Sequence, residues 1–138
     1  MRKTTRFYDP SSDEDGPVSG ALCVIPLNFE TAAGTNEAYY QQVHFPAGMG
    51  FRVTDVEVFC GTVTSDPSLT VGTAAAGAQI VAATNLATGA NAPAIVSGVV
   101  AAGGLIDARI TTDSTDEIAL PISVNIAGFY TSPPTSRP

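Results

Sequence analysis

Several residue types on which metal and catalytic sites depend are scarce in this sequence. Its 138 residues include no tryptophan, a single histidine and two cysteines. One histidine excludes a multi-histidine metal site, and the cysteines do not form a CxxC pair, so we expect no zinc centre. Asp113, Asp116 and Glu117 are close enough in sequence to bind Ca²⁺, but their spacing matches no EF-hand loop, and a solvated turn is favoured. We therefore expect no metal and no cofactor.

Sequence signatures of catalysis are also missing. The chain contains no G-x-S-x-G nucleophile elbow, and its glycine-rich segments follow no strand-to-helix pattern that would form a phosphate cradle. We interpret His44 as a strand-surface residue in preference to a general base. The sequence therefore predicts no catalytic residues and a protein that is not an enzyme.

Charge is scarce and unevenly placed. Charged residues make up 14% of the sequence, against about a quarter in an average soluble protein. The net charge is −7, yet Arg2, Lys3 and Arg6 form a basic tip, whereas Arg52 and Arg109 are the only basic residues between this tip and residue 131. A body without clustered lysine or arginine is not expected to bind nucleic acid. Such a surface is typical of proteins covered by copies of themselves or by a partner, and equally of a small Thr- and Ala-rich β protein.

Long hydrophobic segments are lacking as well. No apolar run approaches the roughly 20 residues of a transmembrane helix, so we expect no membrane association. The positively charged N-terminus is not followed by a hydrophobic region, which argues against a secretion signal. Cys23 and Cys60 could form a disulfide, but two free buried thiols are favoured in a chain without such a signal.

The first residues are expected to form an extended N-terminal arm, residues 1–17, ending at Gly16-Pro17. Its polar and acidic residues cannot build a core. Two adjacent aromatic residues follow the basic cluster and are plausible anchors on another subunit or protein, since aromatic residues are favoured in binding hot spots. The alternative is that they fold back onto the domain's own sheet. The predicted partner-binding residues are Arg2, Lys3, Arg6, Phe7 and Tyr8.

The centre of the chain reads as a β-hairpin. Two runs rich in β-branched residues, Val53–Val63 and Leu69–Val71, flank a turn at Ser65–Ser68. Alternation with a period of two predicts that one face of the first run is buried, namely that of Val56, Val58 and Cys60.

Further strands are predicted on both sides of this hairpin. Before it they are Gly20–Phe29, in which Pro26 marks an edge strand or bulge, and Ala38–Phe45. The Tyr, Gln and His face of the second is typical of an interface or glycan-contacting surface, and also of an ordinary solvent-exposed strand, which is favoured. After the hairpin we expect a single helical turn at Ile80–Leu86 and a short strand around Ile95–Val100.

Two more regular strands complete the pattern. Ile106–Thr111 alternates as a half-buried strand. The stretch from Ile118 to Ile126, extended to Tyr130, predicts one long strand whose alternate apolar residues all face inward, with Pro121 at an edge or bulge. About seven or eight strands and no long helix predict an all-β fold, an antiparallel β-sandwich or jelly roll. The expected divisions are the arm at 1–17, the β-sandwich domain at 18–131 and an extended C-terminal tail at 132–138.

The segments Val53–Val58, Asp66–Thr73, Ile80–Thr84 and Ile106–Thr111, with the closing strand to Tyr130, carry a resemblance. They resemble small β-sandwich virion proteins of tailed bacteriophages, in which a strand ending in an LTVGT phrase precedes an Ala- and Thr-rich stretch and a later I-x-A-x-I-T strand. The resemblance covers roughly residues 50–130 and rests on the composition of turns and strands.

What the resemblance implies is a structural protein of the phage particle, made in the host cytoplasm and located in the virion, on the phage head. The role it favours is a capsid decoration, or cement, protein that binds the outer head surface and stabilises contacts between subunits of the major capsid protein. Such proteins are often trimeric, so a homotrimer is the favoured homo-oligomer. The alternative is a head- or tail-fibre or appendage module that binds a host glycan or protein, for which Tyr39, Tyr40 and His44 are the candidate contacts.

Overall fold

The computed structural model describes residues 22–131 and, for residues 3–7, the backbone alone. Within these residues the chain has strands and no helix, so the all-β class predicted from the sequence is confirmed. None of them forms a helix long and apolar enough to cross a membrane. The strands are β1 (Lys3–Phe7), β2 (Leu22–Phe29), β3 (Ala38–His44), β4 (Gly50–Cys60), β5 (Val63–Thr64), β6 (Ser68–Gly72), β7 (Val81–Asn85), β8 (Gly89–Asn91), β9 (Val99–Val100), β10 (Leu105–Thr111), β11 (Glu117–Ile118) and β12 (Ile122–Thr131).

Two five-stranded sheets form the β-sandwich that the sequence predicts. Sheet A has the strand order β1-β3-β10-β6-β7, and sheet B has the order β2-β12-β4-β8, with β9 also paired to β4. A short separate ladder joins β5 to β11. Among the described strands every pairing is antiparallel except that of β1 with β3, which is parallel.

The core lies between the sheets and follows the period of two in each strand. Fully buried aliphatic side chains come from both sheets: Val56 and Val58 of β4, Leu69 and Val71 of β6, Ile106 and Ile110 of β10, and Val124 and Ile126 of β12. Burying each such side chain contributes about 1.5–3 kcal/mol. Three aromatic residues pack together within this core, with ring centroids 5.3 Å apart for Phe45 and Phe51 and 5.0 Å apart for Phe51 and Tyr130.

A bulge in β4 sets which side chains reach the core. Ala127 of β12 pairs with Asp55, and the next residue, Gly128, pairs with Val53, so Thr54 is the extra residue. The Thr54 hydroxyl donates to the Ala127 carbonyl oxygen over 3.3 Å. Because the extra residue shifts the alternation by one, Val53 is buried although it is out of phase with the buried valines that follow in β4.

The predicted central hairpin is wrong, although its strands and their buried faces are right. β4 lies in sheet B between β12 and β8, whereas β6 lies in sheet A between β10 and β7. The connection between them crosses from one sheet to the other, and on the way β5 pairs with β11. An Asp-Pro turn suits such a crossing as well as a hairpin, and what decides between them is pairing with strands distant in sequence.

The helical turn predicted at Ile80–Leu86 is also wrong, because β7 occupies this segment. It pairs antiparallel with β6 at the edge of sheet A. Ile80, Val81 and Leu86 are buried, whereas the alanines between them are exposed. Sheet pairing and burial at the two ends therefore outweigh the weak helical propensity of alanine.

The single closing strand predicted from Ile118 onward is broken in two. Ile118 ends β11, whose partner is β5, and Ile122 begins β12, which pairs with β2 and β4. Leu120, predicted to face inward, is 47% exposed. The break coincides with Pro121, which lacks the N–H group that a continuous central strand would need.

Residues 3–7 of the predicted arm form β1. Its backbone runs parallel to β3, in register from Lys3 beside Tyr40 to Phe7 beside His44. The sequence analysis considered two positions for this segment, one on another subunit or protein and one on the domain's own sheet. The backbone of residues 3–7 lies on the domain's own sheet. The remainder of the predicted arm and the predicted tail at 132–138 lie outside the described residues.

Candidate functional site

A network of polar side chains joins β3 to β10. The fully buried carboxylate of Asp107 accepts a hydrogen bond of 2.8 Å from Gln42 Nε2. It also accepts two from Arg109, of 3.2 Å from Nε to Oδ1 and 3.1 Å from Nη2 to Oδ2. The guanidinium carbon of Arg109 lies 4.1 Å from the centroid of the Tyr40 ring, and His44 Nε2 is 3.2 Å from Gln42 Oε1.

Strand register brings these five side chains together. Gln42 pairs with Asp107 and Tyr40 pairs with Arg109, so the side chains of each pair lie on one face of sheet A. The opposite face of β10 carries Ile106 and the rest of the core. The sequence analysis recognised the alternation of β10 but missed the network, whose signal is an acidic and a basic residue two positions apart on a strand.

Chemically, the network satisfies its own charges. The Asp107 carboxylate is neutralised by Arg109 and hydrogen-bonded by Gln42, so it is not an unengaged base. The hydrogen-bond partner that the described part of the chain gives His44 is an amide, which is not a nucleophile. The arrangement is therefore suited to fixing β3 against β10, and nothing in it resembles a nucleophile and base pair.

The sequence analysis predicts that the Tyr, Gln and His face of β3 belongs to an ordinary solvent-exposed strand. This prediction is wrong. β3 lies between β1 and β10, and Gln42 is buried. Tyr39 faces the core, and its hydroxyl accepts a hydrogen bond of 3.1 Å from the Gly34 amide. Tyr39, Tyr40 and His44 therefore do not form one exposed aromatic cluster.

The acidic turn after β10 is built around Asp116. This residue is 3% exposed, and its two carboxylate oxygens accept hydrogen bonds of 2.9 Å from the amides of Asp66 and Asp113. The expectation of a solvated turn is thus wrong for Asp116 and right for Asp113, which is exposed. Hydrogen bonds from the amide and hydroxyl of Thr115 lower the pKa of Asp113. Among the described residues no three acidic, cysteine or histidine residues are grouped in a way that could hold a metal ion.

Cys23 and Cys60 are free, as the sequence analysis favoured. Cys60 is buried in β4, and Cys23 is half-buried in β2. Burial raises the pKa of both thiols, which disfavours the reactive thiolate form.

The outer edge of sheet B is apolar and uncharged. β2 has one strand neighbour, β12, in the described part of the chain, and none of its eight residues is acidic or basic in the manner of Asp, Glu, Lys, Arg or His. Leu22 and Val24 are 70% and 57% exposed, respectively. Pro26 lies in β2, and β2 is the last strand of the sheet order, so the edge strand that we predicted from this proline is confirmed.

A polar side chain of sheet A reaches β2. Gln41 Nε2, on β3, donates to the carbonyl oxygen of Asn28. The side chain is 4% exposed, and its Oε1 atom has no hydrogen-bond partner in the described residues. Gln41 therefore links the sheets at the edge where β2 lies.

A shallow depression of about 370 Å³ lies beside the ladder of β5 and β11. Small residues such as Gly34 and Thr62 line it, and Glu117 is the one charged residue in its lining. It lacks the convergent polar groups that fix a small ligand.

The structure describes only part of the predicted partner-binding set. Lys3, Arg6 and Phe7 lie in β1, where their backbones pair with Tyr40, Val43 and His44. Arg2 and Tyr8 lie outside the described residues. The role of these five residues stays a prediction.

Comparison with known proteins leaves the family open. No model of a known protein family matches the chain, and no curated protein is similar to it in sequence.

Proposed function

We propose that this protein is a structural component of a bacteriophage virion, a capsid decoration protein that binds the outer head surface and joins neighbouring major capsid subunits. The observation that carries the proposal is the β-sandwich with an uncharged, apolar edge at β2. An exposed strand edge of this kind is normally protected by charge or covered by another chain. The resemblance to virion proteins gives the setting in which it would be covered.

The polar chemistry of the fold supports a structural role. Both oxygens of each buried carboxylate, Asp107 and Asp116, accept hydrogen bonds from the same chain. Such groups fix the positions of strands and turns, and they are not available to act on a substrate. A non-enzymatic protein that functions by binding copies of itself and a capsid surface is consistent with this arrangement.

The basic N-terminal segment is the proposed contact with the capsid. Arg2, Lys3 and Arg6 contrast with a body that is acidic, and many weak contacts of this kind around a closed shell add up to firm attachment. The backbone of Lys3–Phe7 pairs in parallel with β3 at the edge of sheet A. A homotrimer is the favoured oligomer on the resemblance.

The first test is the copy number of the protein in purified particles of its source. Quantitative mass spectrometry would measure it relative to the major capsid protein. Hundreds of copies per particle would support a decoration role over the whole shell. A few to a few dozen copies would replace it with a fibre, tail or vertex appendage, and absence from particles would overturn the virion proposal.

The second test concerns the N-terminal segment. A variant lacking residues 1–15 and a full-length variant with Arg2, Lys3 and Arg6 all changed to Glu would be added to undecorated heads, and bound protein would be measured by sedimentation. Both should remain folded and lose binding. The charge-reversed protein keeps the backbone of β1, so normal binding by this variant would show that the basic residues have no docking role.

A further inference from the structure

We propose that β2 is a two-fold contact surface on which a second copy of this chain adds its own β2, antiparallel and centred on Cys23. The contact uses the same edge that supports the virion proposal, but it is tested on the isolated protein, so the failure of one proposal is distinguishable from the failure of the other. It would join two single chains or two trimers alike.

The direction of the backbone groups in β2 follows from two residues. In an antiparallel pair, the N–H and C=O groups of every second residue face away from the neighbouring strand. Asn28 belongs to this outward-facing set, because its carbonyl accepts the hydrogen bond from Gln41 of sheet A. Pro26 has the same parity, and its missing N–H is tolerated where no ladder bond to β12 is needed. Leu22 and Val24 therefore also present their N–H and C=O groups to the edge.

The outward groups at the two ends of β2 are not equivalent. Near its C-terminal end the Asn28 carbonyl is engaged by Gln41, and Pro26 has no N–H to offer. Near its beginning Leu22 and Val24 each have a donor and an acceptor directed outward, with no strand beyond β2 among the described residues. An added strand should therefore pair at Leu22 and Val24.

The register of a second copy follows from this restriction. If Leu22 of each copy faces Val24 of the other, the outward N–H and C=O groups of both residues are used, and each residue pair forms two hydrogen bonds. The dimer contains two such pairs and therefore four backbone hydrogen bonds. Moving the centre from Cys23 to Val24 would place Leu22 opposite Pro26, whose ring cannot return a bond. Of these two registers, the one centred on Cys23 leaves no outward N–H or C=O group of Leu22 and Val24 unpaired, and we place the two-fold axis through the Cys23 pair.

Charge favours a second copy in this antiparallel arrangement. β2 has no Asp, Glu, Lys, Arg or His residue, and burial favours the neutral thiol of Cys23, so two acidic molecules can approach along it without placing like charges opposite each other. Glu30 follows β2 directly and is exposed. Antiparallel pairing puts the two Glu30 residues at opposite ends of the contact, whereas parallel pairing would bring them together.

The same register brings apolar side chains together on the outer face of sheet B. Leu22 and Val24, the exposed apolar residues of β2, would lie as cross-strand neighbours from the two copies. Phe129 and Ala127 of β12, their partners within the chain, continue the row on each side. The contact is small, and we expect it to bury less than about 1,200 Å² of surface. Contacts of that size associate weakly.

Cys23 provides a direct test of the register. In this dimer the two Cys23 residues form a pair without backbone hydrogen bonds, whose Cα atoms lie about 4.5 Å apart. A disulfide requires about 4.4–6.8 Å. Diamide, which takes up the two electrons and two protons of the thiols, should therefore cross-link the full-length protein into covalent pairs. The Cys23→Ser variant retains only the buried Cys60 and should not cross-link.

Association would be measured by sedimentation equilibrium up to about 1 mM protein, since weak contacts have dissociation constants up to that range. The wild type should approach twice the mass of the Val24→Lys variant, in which the added charge lies on the strand edge. The matched control is Val96→Lys, at a valine that is 68% exposed outside the strands. It should keep the wild-type mass, and Val24→Lys should also lose the Cys23 cross-link.

Three results would overturn the proposal. One is a wild-type mass equal to that of Val24→Lys throughout. Another is a larger assembly in which Cys23 does not cross-link. The third is slow hydrogen exchange of the Leu22 and Val24 amides at concentrations where no pairing occurs, which would show that the chain covers this edge itself.

Discussion

Arg109 and Asp107 lie two residues apart on β10 and form a two-bonded ion pair, although the carboxylate is fully buried and the arginine side chain is 18% exposed. The pair is held on one side by the Tyr40 ring and on the other by the Gln42 amide. It connects β10 to β3 on the face of sheet A that does not contribute to the apolar core.

Asp107→Asn should lower the free energy of unfolding by about 1–3 kcal/mol, because it leaves Arg109 without its counter-charge and replaces one of the two acceptor oxygens facing Gln42 and Arg109 with a donor. Urea denaturation followed by circular dichroism would measure the change. Asp55→Asn, at an exposed position of β4, is the matched control and should have an effect within about 0.5 kcal/mol. Equal losses in the two variants would show that the ion pair does not stabilise the fold.

Asp116→Ala should lower the free energy of unfolding by about 2–4 kcal/mol, because the amides of Asp66 and Asp113 lose their shared acceptor. Asp66→Ala removes an exposed carboxylate from the same pair of turns and should have little effect. Thermal and urea unfolding of both variants would compare them. If both lost the same stability, the role assigned to the Asp116 carboxylate would be wrong.

The stabilising effect of the Asp113 charge should depend on pH. The folded-state pKa of Asp113 lies below its usual 3.8, because Thr115 donates hydrogen bonds to the carboxylate. Its contribution is therefore present above the unfolded-state pKa and is lost as pH falls through the lower folded-state pKa. The stability difference between wild type and Asp113→Asn should be constant near neutral pH and shrink below about pH 4.

Chemical denaturation at a series of pH values would measure this difference, and an NMR titration would report the Asp113 pKa directly. A difference for Asp113→Asn that is the same at acidic and neutral pH would contradict the prediction.

Gly128→Ala should destabilise the protein by more than about 2 kcal/mol, since added atoms in a tightly packed site force the backbone to shift. A Cβ at Gly128 would collide with the carbonyl oxygen of Arg52 and with the Phe51 ring, next to the bulge in β4. The control is Gly34→Ala, whose nearest neighbour would be the Tyr39 hydroxyl at 3.8 Å. Differential scanning calorimetry should show a clear fall in Tm for the first variant and a small change for the second.

Local patterns predicted the strands well, because burial on one face imposes a period of two. β3, β4, β10 and the buried faces of β4 and β6 follow from that period alone. What the patterns could not supply was the partner of each strand. β4 and β6 are close in sequence and have a good turn between them, yet they lie in different sheets because each finds its neighbours far away in the chain.

For the candidate sites, too, local features could be predicted from the sequence and features that depend on strand pairing could not. Pro26 identified an edge strand correctly, because a missing N–H is a local property. The network of Asp107, Arg109 and Gln42 could not be found in this way, since it exists only when β10 pairs with β3 in one register. A one-residue shift would place the carboxylate in the apolar core, so the register and the network support each other.

The pairing of β2 with β12 has a consequence for the order of events during synthesis. Leu22 lies opposite Phe129 and Phe29 lies opposite Ile122, so sheet B joins the first and last strands of the segment 22–131. A ribosome must translate almost the whole domain before the apolar face of β4 acquires its principal neighbour, β12. Folding should therefore be late and cooperative, and nascent chains that end before Ile122 should expose β2 and β4 together, as substrates for chaperones.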